Sequence, residues 1–579
     1  MSLAPAQLSR FAVLLASLLV IAVATAMLVP WFSGSGSQAQ PTGSTPAAQA
    51  GLPPEDGTVA SAYAPLELTE QQQRGKQIYL TGISPTGAKL TAVLGNSNTE
   101  VPAVMLTCVN CHRHDGRGKP EGGIYPSNIR WDELTKPYGS SDARGRSRPP
   151  YDESLLKRAI SMGFDSGGKL LADAMPRYRM AHQDLADLAA YLMVIGRELD
   201  PGLSTDRIRI GVILAPLQVL PEMNHAVRQV VSAYISEFNR GGGVYQREIE
   251  LHFSEAPARR EDRAAAAIDF VHRQQLFALT STFIAGDEVE IARQLGMEGV
   301  PLVGAQTLYP QLGFPLNRHL FYLSSGILGQ SLALVQYAHG AERQAGKRIN
   351  AVLLVPEDDE NSGERSDVAN AIKAHSSRLG WRLQTHSIPA QEFPAEMLAR
   401  NLKQQEVVSV LSLLSGPQTL RLLQAAEACD WFPACYFSSA FVGLELFDAP
   451  LGFDKQIFLA FPTMPSQQPV GMREYHRLSQ SHDLSTVDLS TQFEALSAVK
   501  ILLEGLKRAG SALSRERLVE ELETLADYRT GFTPAVSFGP NRRVGAEGAY
   551  ILAVDLNNRT VVPVSDWLDG SPLPLELRK

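Results

Sequence analysis

Only four of the 579 residues are cysteine, aromatic residues make up 7% of the chain, and the net charge is −8. The acidic balance argues against nucleic acid as a partner for the whole chain. There is one CxxC pair and no second, so a four-thiolate zinc site has no other half. GxSxG elbows, P-loops and HExxH stretches are missing, and the 12 histidines are scattered without ligand spacing. Long apolar runs are equally scarce.

The one such run, residues 11–32, follows a start whose single charge is Arg10. Its length suits a membrane-spanning helix of about 20 residues. Residues 11–23 followed by Ala24-Thr25-Ala26 also fit the apolar region and cleavage site of a signal peptide. Residues 1–32 are therefore expected to be a signal peptide or a membrane anchor, and either one exports the chain to the periplasm. No cysteine lies near the run, which excludes a lipoprotein anchor. Residues 33–64, rich in Gly, Ser, Pro, Ala and Gln, cannot bury enough surface to fold and read as a flexible linker.

Against this background Cys108-Val109-Asn110-Cys111-His112 stands out. Two thiols and an imidazole at this spacing read as a c-type haem attachment site: each cysteine forms a thioether and His112 reaches the iron. A thioredoxin-like CxxC beside a chance histidine, or half a zinc site, are the alternatives. The sixth ligand is expected downstream, and Met175 in Ala174-Met175-Pro176-Arg177-Tyr178 is the candidate, with Met180, Met162 and His182 as competitors. His/Met ligation would give a higher potential than two histidines. A six-coordinate iron leaves no open position, so electron transfer is expected rather than catalysis. From Arg113 to Met180 there are 13 Lys/Arg against 9 Asp/Glu. That mildly basic stretch could steer an acidic redox partner or be mixed solvated charge.

Around the motif, residues 69–196 resemble a class I cytochrome c. The segment opens with a helical pattern capped by Thr69, in which Gly75 permits close approach of another helix, and closes with Leu185, Leu188, Ala189 and Leu192 on one helical stripe. The resemblance implies an all-α cytochrome c domain over residues 65–200, with one covalently bound haem c and the two helices crossing beside it. The stretch between Tyr79 and Cys108 is longer than the family needs.

From Asp206 the pattern changes to short apolar runs alternating with helical stretches. Strands are expected at 208–214, 248–253, 278–282, 301–304, 349–355, 407–413 and 457–461, with a helix over 226–238. Such alternation implies a parallel α/β sheet covered on both faces. The first strand, the turn Asn239-Arg240-Gly241-Gly242-Gly243 and the stretch Val300-Pro301-Leu302-Val303-Gly304-Ala305-Gln306-Thr307 resemble type 1 periplasmic binding proteins of the leucine/isoleucine/valine-binding kind. The resemblance implies a two-lobed α/β fold over residues 206–579, with three crossovers and a ligand cleft at the strand carboxyl ends.

Carried over from that family, Ser281, Thr282, Ala305 and Thr307 are the candidate ligand-binding residues, with simple helix capping as the alternative for the hydroxyls. Asn361-Ser362-Gly363, Leu414-Ser415-Gly416 and Phe437-Ser438-Ser439-Ala440 stand where the opposite lobe usually supplies an aromatic ring and an acid. Without that acid, a less charged ligand or a carboxylate lacking an amine is expected. Cys429 and Cys435 are expected to form a small-loop disulfide or to be two buried thiols.

The architecture expected from sequence is thus multidomain. One function class is an exported electron-transfer protein whose binding module captures a small molecule, or docks a periplasmic redox enzyme such as a dehydrogenase. The other is the substrate-binding receptor of an ABC-type transporter with an accessory haem domain.

Overall fold

The computed structural model describes residues 68–571 apart from 95–98, 119, 121–122, 138–139, 142–146, 219, 314, 345–349, 358–361, 382 and 390–392. The expected signal peptide or anchor (1–32) and linker (33–64) lie outside the described residues. Among the described residues no helix is long and apolar enough to cross a membrane. The chain divides between Asp206 and Arg207 into two compact units.

The first unit opens with helix α1 (Glu70–Thr81), started by the capping box of Thr69 and Gln72. Gly75 is where α1 crosses the last helix of the unit, α5 (His182–Leu192): a β-carbon there would lie 2.0 Å from Asp187 O. On either side of this crossing, Arg74 pairs with buried Asp187 at 2.7 Å and Tyr79 meets Tyr191 edge-on at 5.5 Å. Between them come the short helices α2 (Cys108–His112) and α3 (Trp131–Leu134), and then α4 (Glu153–Met162).

The unit is not all-α. The long stretch before Cys108 folds as a hairpin of β1 (Thr91–Leu94) and β2 (Thr99–Pro102), and β1 pairs with β3 (Arg177–Arg179), giving an antiparallel sheet in the order β2-β1-β3. Strands of three or four residues carry too little periodicity to show against a Gly-, Asn- and Thr-rich background.

The second unit has two sheets. The first lobe holds a six-stranded parallel sheet made of β4 (Arg207–Leu214), β5 (Glu248–Glu255), β6 (Ala278–Phe283), β7 (Leu302–Gln306), β8 (Leu320–Ser324) and, late in the chain, β14 (Val544–Ala546), in the order β14-β8-β7-β6-β4-β5. Helices α6 (Pro221–Arg240), α7 (Arg263–Gln274) and α8 (Glu288–Met297) connect its strands.

After β8 the chain crosses to the second lobe. Helix α9 (Gly326–Gln344) is followed by β9 (Ala351–Pro356), α10 (Ser362–Arg378), β10 (Leu383–Ile388), α11 (Ala395–Gln404), β11 (Ser409–Ser412), α12 (Gly416–Ala428), β12 (Ala434–Ser438) and β13 (Ile457–Phe461). The chain then returns to the first lobe through α13 (Pro469–His482), α14 (Leu489–Ala509), α15 (Arg515–Leu522) and β14. It crosses back a third time into β15 (Gly548–Asp555), β16 (Thr560–Pro563) and β17 (Leu568–Asp569). The second sheet runs β10-β9-β11-β12-β13-β15-β16, parallel up to β13 and antiparallel after it, with β17 on β15. Two lobes joined by three crossovers are what the resemblance implies.

The expected disulfide is absent. Cys429, at the end of α12, and Cys435, inside β12, are free thiols. Each faces a carbonyl on its own side of the turn, Cys429 that of Ala426 and Cys435 that of Pro433. Cys435 is buried in the lobe core and burial raises its pKa, so it packs as a small hydrophobe.

Candidate functional site

In the first unit, the haem-attachment motif makes up the whole of α2, which places Cys108, Cys111 and His112 on a single turn of helix. The chain then loops back: Gly118 N donates to His112 O and Ile129 N to Gly116 O, with Gly116 and Gly118 at φ 76° and 70°. The loop brings Ser127 O to 3.0 Å from His112 Nδ1. A carbonyl only accepts, so Nδ1 carries the proton and Nε2 keeps its lone pair, the tautomer that a haem ligand requires. Burial also lowers the His112 pKa, favouring the neutral ring. Burial pushes the Cys108 thiol up to about 11.

Met175 and Cys108 pack on the same hydrophobic core, which Tyr79, Tyr178 and Tyr191 help to build. Arg177 donates to Met175 O and, at 3.0 Å, to Leu171 O, pinning the methionine and the loop that leads to it. Tyr178 Oη donates to Leu106 O at 2.6 Å, tying the strand that follows Met175 to the segment that precedes Cys108. Tyr79 Oη bonds Arg113 O at 2.5 Å, next to His112. Burial raises the pKa of both phenols, so both remain donors.

Of the competitors, Met162 is exposed at the end of α4 and His182 opens α5, while Met180 packs partly buried on the core beside β3. Cys108 and Met175 against one small core, with the exposed Cys111 thiol and an imidazole with a free Nε2 on the same short helix, fit a c-type haem. Cys108 and Cys111 would hold it and His112 and Met175 would ligate its iron.

In the second unit the carried-over residues separate. Ser281 and Thr282 lie inside β6, not in a loop after it. Ser281, at φ 47°, donates to Ala495 O of α14, and Thr282 Oγ1 donates to Thr280 O at 3.0 Å. Ser281 sits beside Gly304, also left-handed at φ 77°, where a β-carbon would come within 2.3 Å of Ala498 Cβ. This break in both strands is where α14 docks.

Ala305 is the penultimate residue of β7, opposite Thr282, and Thr307 comes immediately after the strand. Thr307 Oγ1 donates to Glu288 Oε1 at 2.6 Å, and Gly286 N donates to Glu288 Oε2 at 3.0 Å. Glu288 is buried and its pKa is raised by burial, opposed by the Thr307 bond.

Sequence reasoning missed this acid because Glu288 reads as an ordinary first-turn residue of α8. It also missed Glu445, which brings a carboxylate to the second lobe where none was expected. Its Oε1 accepts from Gly443 N at 3.0 Å and crowds Gly416. Nor did it foresee Arg365, on the first turn of α10 and only 4% exposed. The Arg365 guanidinium lies 5.1 Å from the Phe441 ring centroid, and its Nε donates to Tyr309 Oη of the first lobe at 3.4 Å. Asn361, also named from sequence, lies outside the described residues.

A family model described as periplasmic binding protein matches residues 207–559, and one described as cytochrome c matches residues 100–195. No curated protein matches the chain. Among solved structures, it is similar to a fatty acid ABC transporter substrate-binding protein from Thermomonospora curvata, with 14% identity, 65% of this chain and 95% of that one covered, and a TM-score of 0.49. It is also similar to a leucine binding protein from Thermotoga maritima (14% identity, 62% and 99% covered, TM-score 0.49). A solute binding protein from R. palustris in complex with benzoate is a further similar structure (12% identity, 63% and 98% covered, TM-score 0.47). The chain belongs to the periplasmic binding protein family over residues 207–559 and carries a cytochrome c domain over residues 100–195.

Proposed function

We propose that this chain is an exported electron-transfer protein, not an enzyme. It carries one haem covalently on Cys108 and Cys111 with His112 and Met175 as axial ligands, and its two-lobed unit captures a small molecule connected with a periplasmic redox partner such as a dehydrogenase. The observation that carries the reading is the His112–Ser127 hydrogen bond, which leaves Nε2 free on the residue that directly follows the second attachment thiol. When bound, the haem supplies a one-electron couple. The chain's own part is to present Nε2 and the Met175 thioether, to fix the methionine loop through Arg177 and Tyr178, and to keep water from that core with Tyr79 and Tyr191.

The test is the full chain matured in a host that attaches c-type haem. One haem's mass added to the polypeptide, a Soret band and a methionine–iron charge-transfer band are expected. A bare polypeptide mass would refute the reading.

A second reading, a transporter's solute receptor with an accessory haem, draws support from the family match over residues 207–559. Under the first reading, a quinoprotein dehydrogenase given its substrate reduces the haem. Under the second, the haem stays oxidised and a permease complex takes up the ligand.

A further inference from the structure

The three crossovers between the lobes are held in different ways. The first bends at Gly326 and the third at Gly548, each set against backbone: a β-carbon would lie 2.2 Å from Leu308 O in the one and 2.0 Å from Leu568 O in the other. The second, Phe461-Pro462-Thr463-Met464-Pro465, has no glycine and is held by a side chain. Thr463, 4% exposed, donates through Oγ1 to Glu494 Oε1 at 3.0 Å, which ties the crossover to α14 of the first lobe. Gln468, at the far end of the same segment, donates to Tyr550 Oη of β15 at 3.4 Å, so the second crossover is coupled to the strand that follows the third.

Helix α14 runs from the carboxyl ends of the first sheet toward its strand starts. Ala495 O accepts from Ser281 within β6, and Arg515, beyond the end of α14, donates to Phe277 O just before β6 begins. Glu494 therefore stands beside the strand carboxyl ends at the hinge, where it keeps part of its surface in water.

Burial raises the Glu494 pKa to about 7, opposed by the Thr463 bond and reinforced by the like charge of Asp488, which is 4% exposed and accepts from Thr491. Charges on the elements around it are paired. Lys500 of the same helix meets Glu474 of α13, Arg228 and Glu237 of α6 face Glu255 and Arg477, and Arg517 of α15 faces Glu521. Residues 462–468 and strands β6, β7 and β8 carry no charged side chain, and Glu547 of the third crossover has partners of its own.

An ionised carboxyl resists losing its remaining water, whereas a neutral one does not. Closing a hinge withdraws its floor from water, so the closed form prefers a neutral Glu494 and the open form tolerates an ionised one. We propose that Glu494 and Thr463 form a proton-operated latch on the second crossover, which favours closure of the two lobes when Glu494 is protonated and releases them when it is ionised. This inference rests on the reading of the second unit as a capture module, whose hold on its ligand then weakens as pH rises.

The test is amide hydrogen exchange, read by mass spectrometry on the full haem-loaded chain without ligand, at about pH 5.5 and about pH 8.5 and corrected for the intrinsic effect of pH on exchange. Amides of residues 324–330 and 461–468 are expected to exchange about tenfold faster at the higher pH, while those of β11 and β12 and of residues 91–102 hold steady. In Glu494→Gln, which stays neutral, the crossovers are expected to remain slow at both values. Asp488→Asn, which removes the like charge, is expected to move the change to lower pH. It carries the test if Glu494→Gln does not fold, judged by circular dichroism with the Soret band as internal control.

Equal crossover exchange at the two pH values, an undiminished pH response in Glu494→Gln, or faster exchange spread evenly over the whole second unit would each overturn the proposal. In the last case Glu494 acts on stability alone. None of these outcomes touches the capture reading, because the assay holds no ligand. That reading falls separately if a chain whose crossovers answer to pH binds none of sodium butyrate, leucine and benzyl alcohol by calorimetry, and the latch then stands without it.

Discussion

The two units solve the problem of holding a small group in opposite ways. The haem unit gathers its donors from short segments, a five-residue helix and a loop, and steadies them with hydrogen bonds to backbone carbonyls: His112 to Ser127, Tyr178 to Leu106, Tyr79 to Arg113. The binding unit places its polar groups just beyond the ends of strands already fixed in two sheets. Chemistry in the first unit is therefore written in a local motif. In the second it is written in topology, and single residues can change without the fold noticing. Glu288, Arg365 and Glu445 all stand in segments that follow strand ends.

The largest test of this contrast is Cys108→Ala with Cys111→Ala. Covalent haem and the Soret band should vanish, while the melting of the binding unit, followed by calorimetry, stays put. Next is Glu523→Gln. Arg543 and Glu523 pair at 2.6 Å with both side chains buried, and removing one partner of such a pair costs about 3–5 kcal/mol. The binding unit should melt earlier with the visible spectrum unchanged. If both transitions moved together, the units would not be independent.

Met175→Ala should abolish the methionine–iron band and lower the potential by part of the roughly 0.8 V that axial ligation spans. An unchanged spectrum would instead favour Met180. Tyr178→Phe, which removes one donor, should cost about 1 kcal/mol and weaken the same band without erasing it.

The smallest effect is in pH. Burial raises the Glu494 pKa to about 7, opposed by its bond to Thr463. A carboxyl whose folded pKa is raised holds its proton longer than the unfolded chain does. Stability contributed by this group therefore falls as pH rises from about 4.5 to about 7. Glu494→Gln should flatten that fall in a melting series.

The sequence and the structure agree best where one element carries one signal. The Thr69 cap, the glycine crossing at Gly75 and the apolar run at 457–461 were all legible and all fold as expected. The hairpin before Cys108 was not, because its strands are short and the sheet they belong to is completed by residues 84 to 88 positions away. Ser281 and Thr282 close the strand expected over 278–282, and the structure carries that strand on to Phe283, so both are strand residues and not loop residues. Strand β12, Ala434-Cys435-Tyr436-Phe437-Ser438, is short and buried on both faces, so it shows no apolar alternation. A carbonyl such as that of Ser127 leaves no trace in side-chain chemistry at all.

The pairing of β1 with β3 gives the haem unit an unusual mode of failure. Ala92 faces Tyr178 and Val93 faces Arg177, and the side chains of a strand alternate between its two faces. Sliding the hairpin by one position would break this register and weaken the support of the strand that carries both anchors of the methionine loop, Arg177 and Tyr178. A single-residue insertion or deletion in residues 91–102 would thus disturb the methionine loop from outside the segments that carry Cys108, Cys111, His112 and Met175.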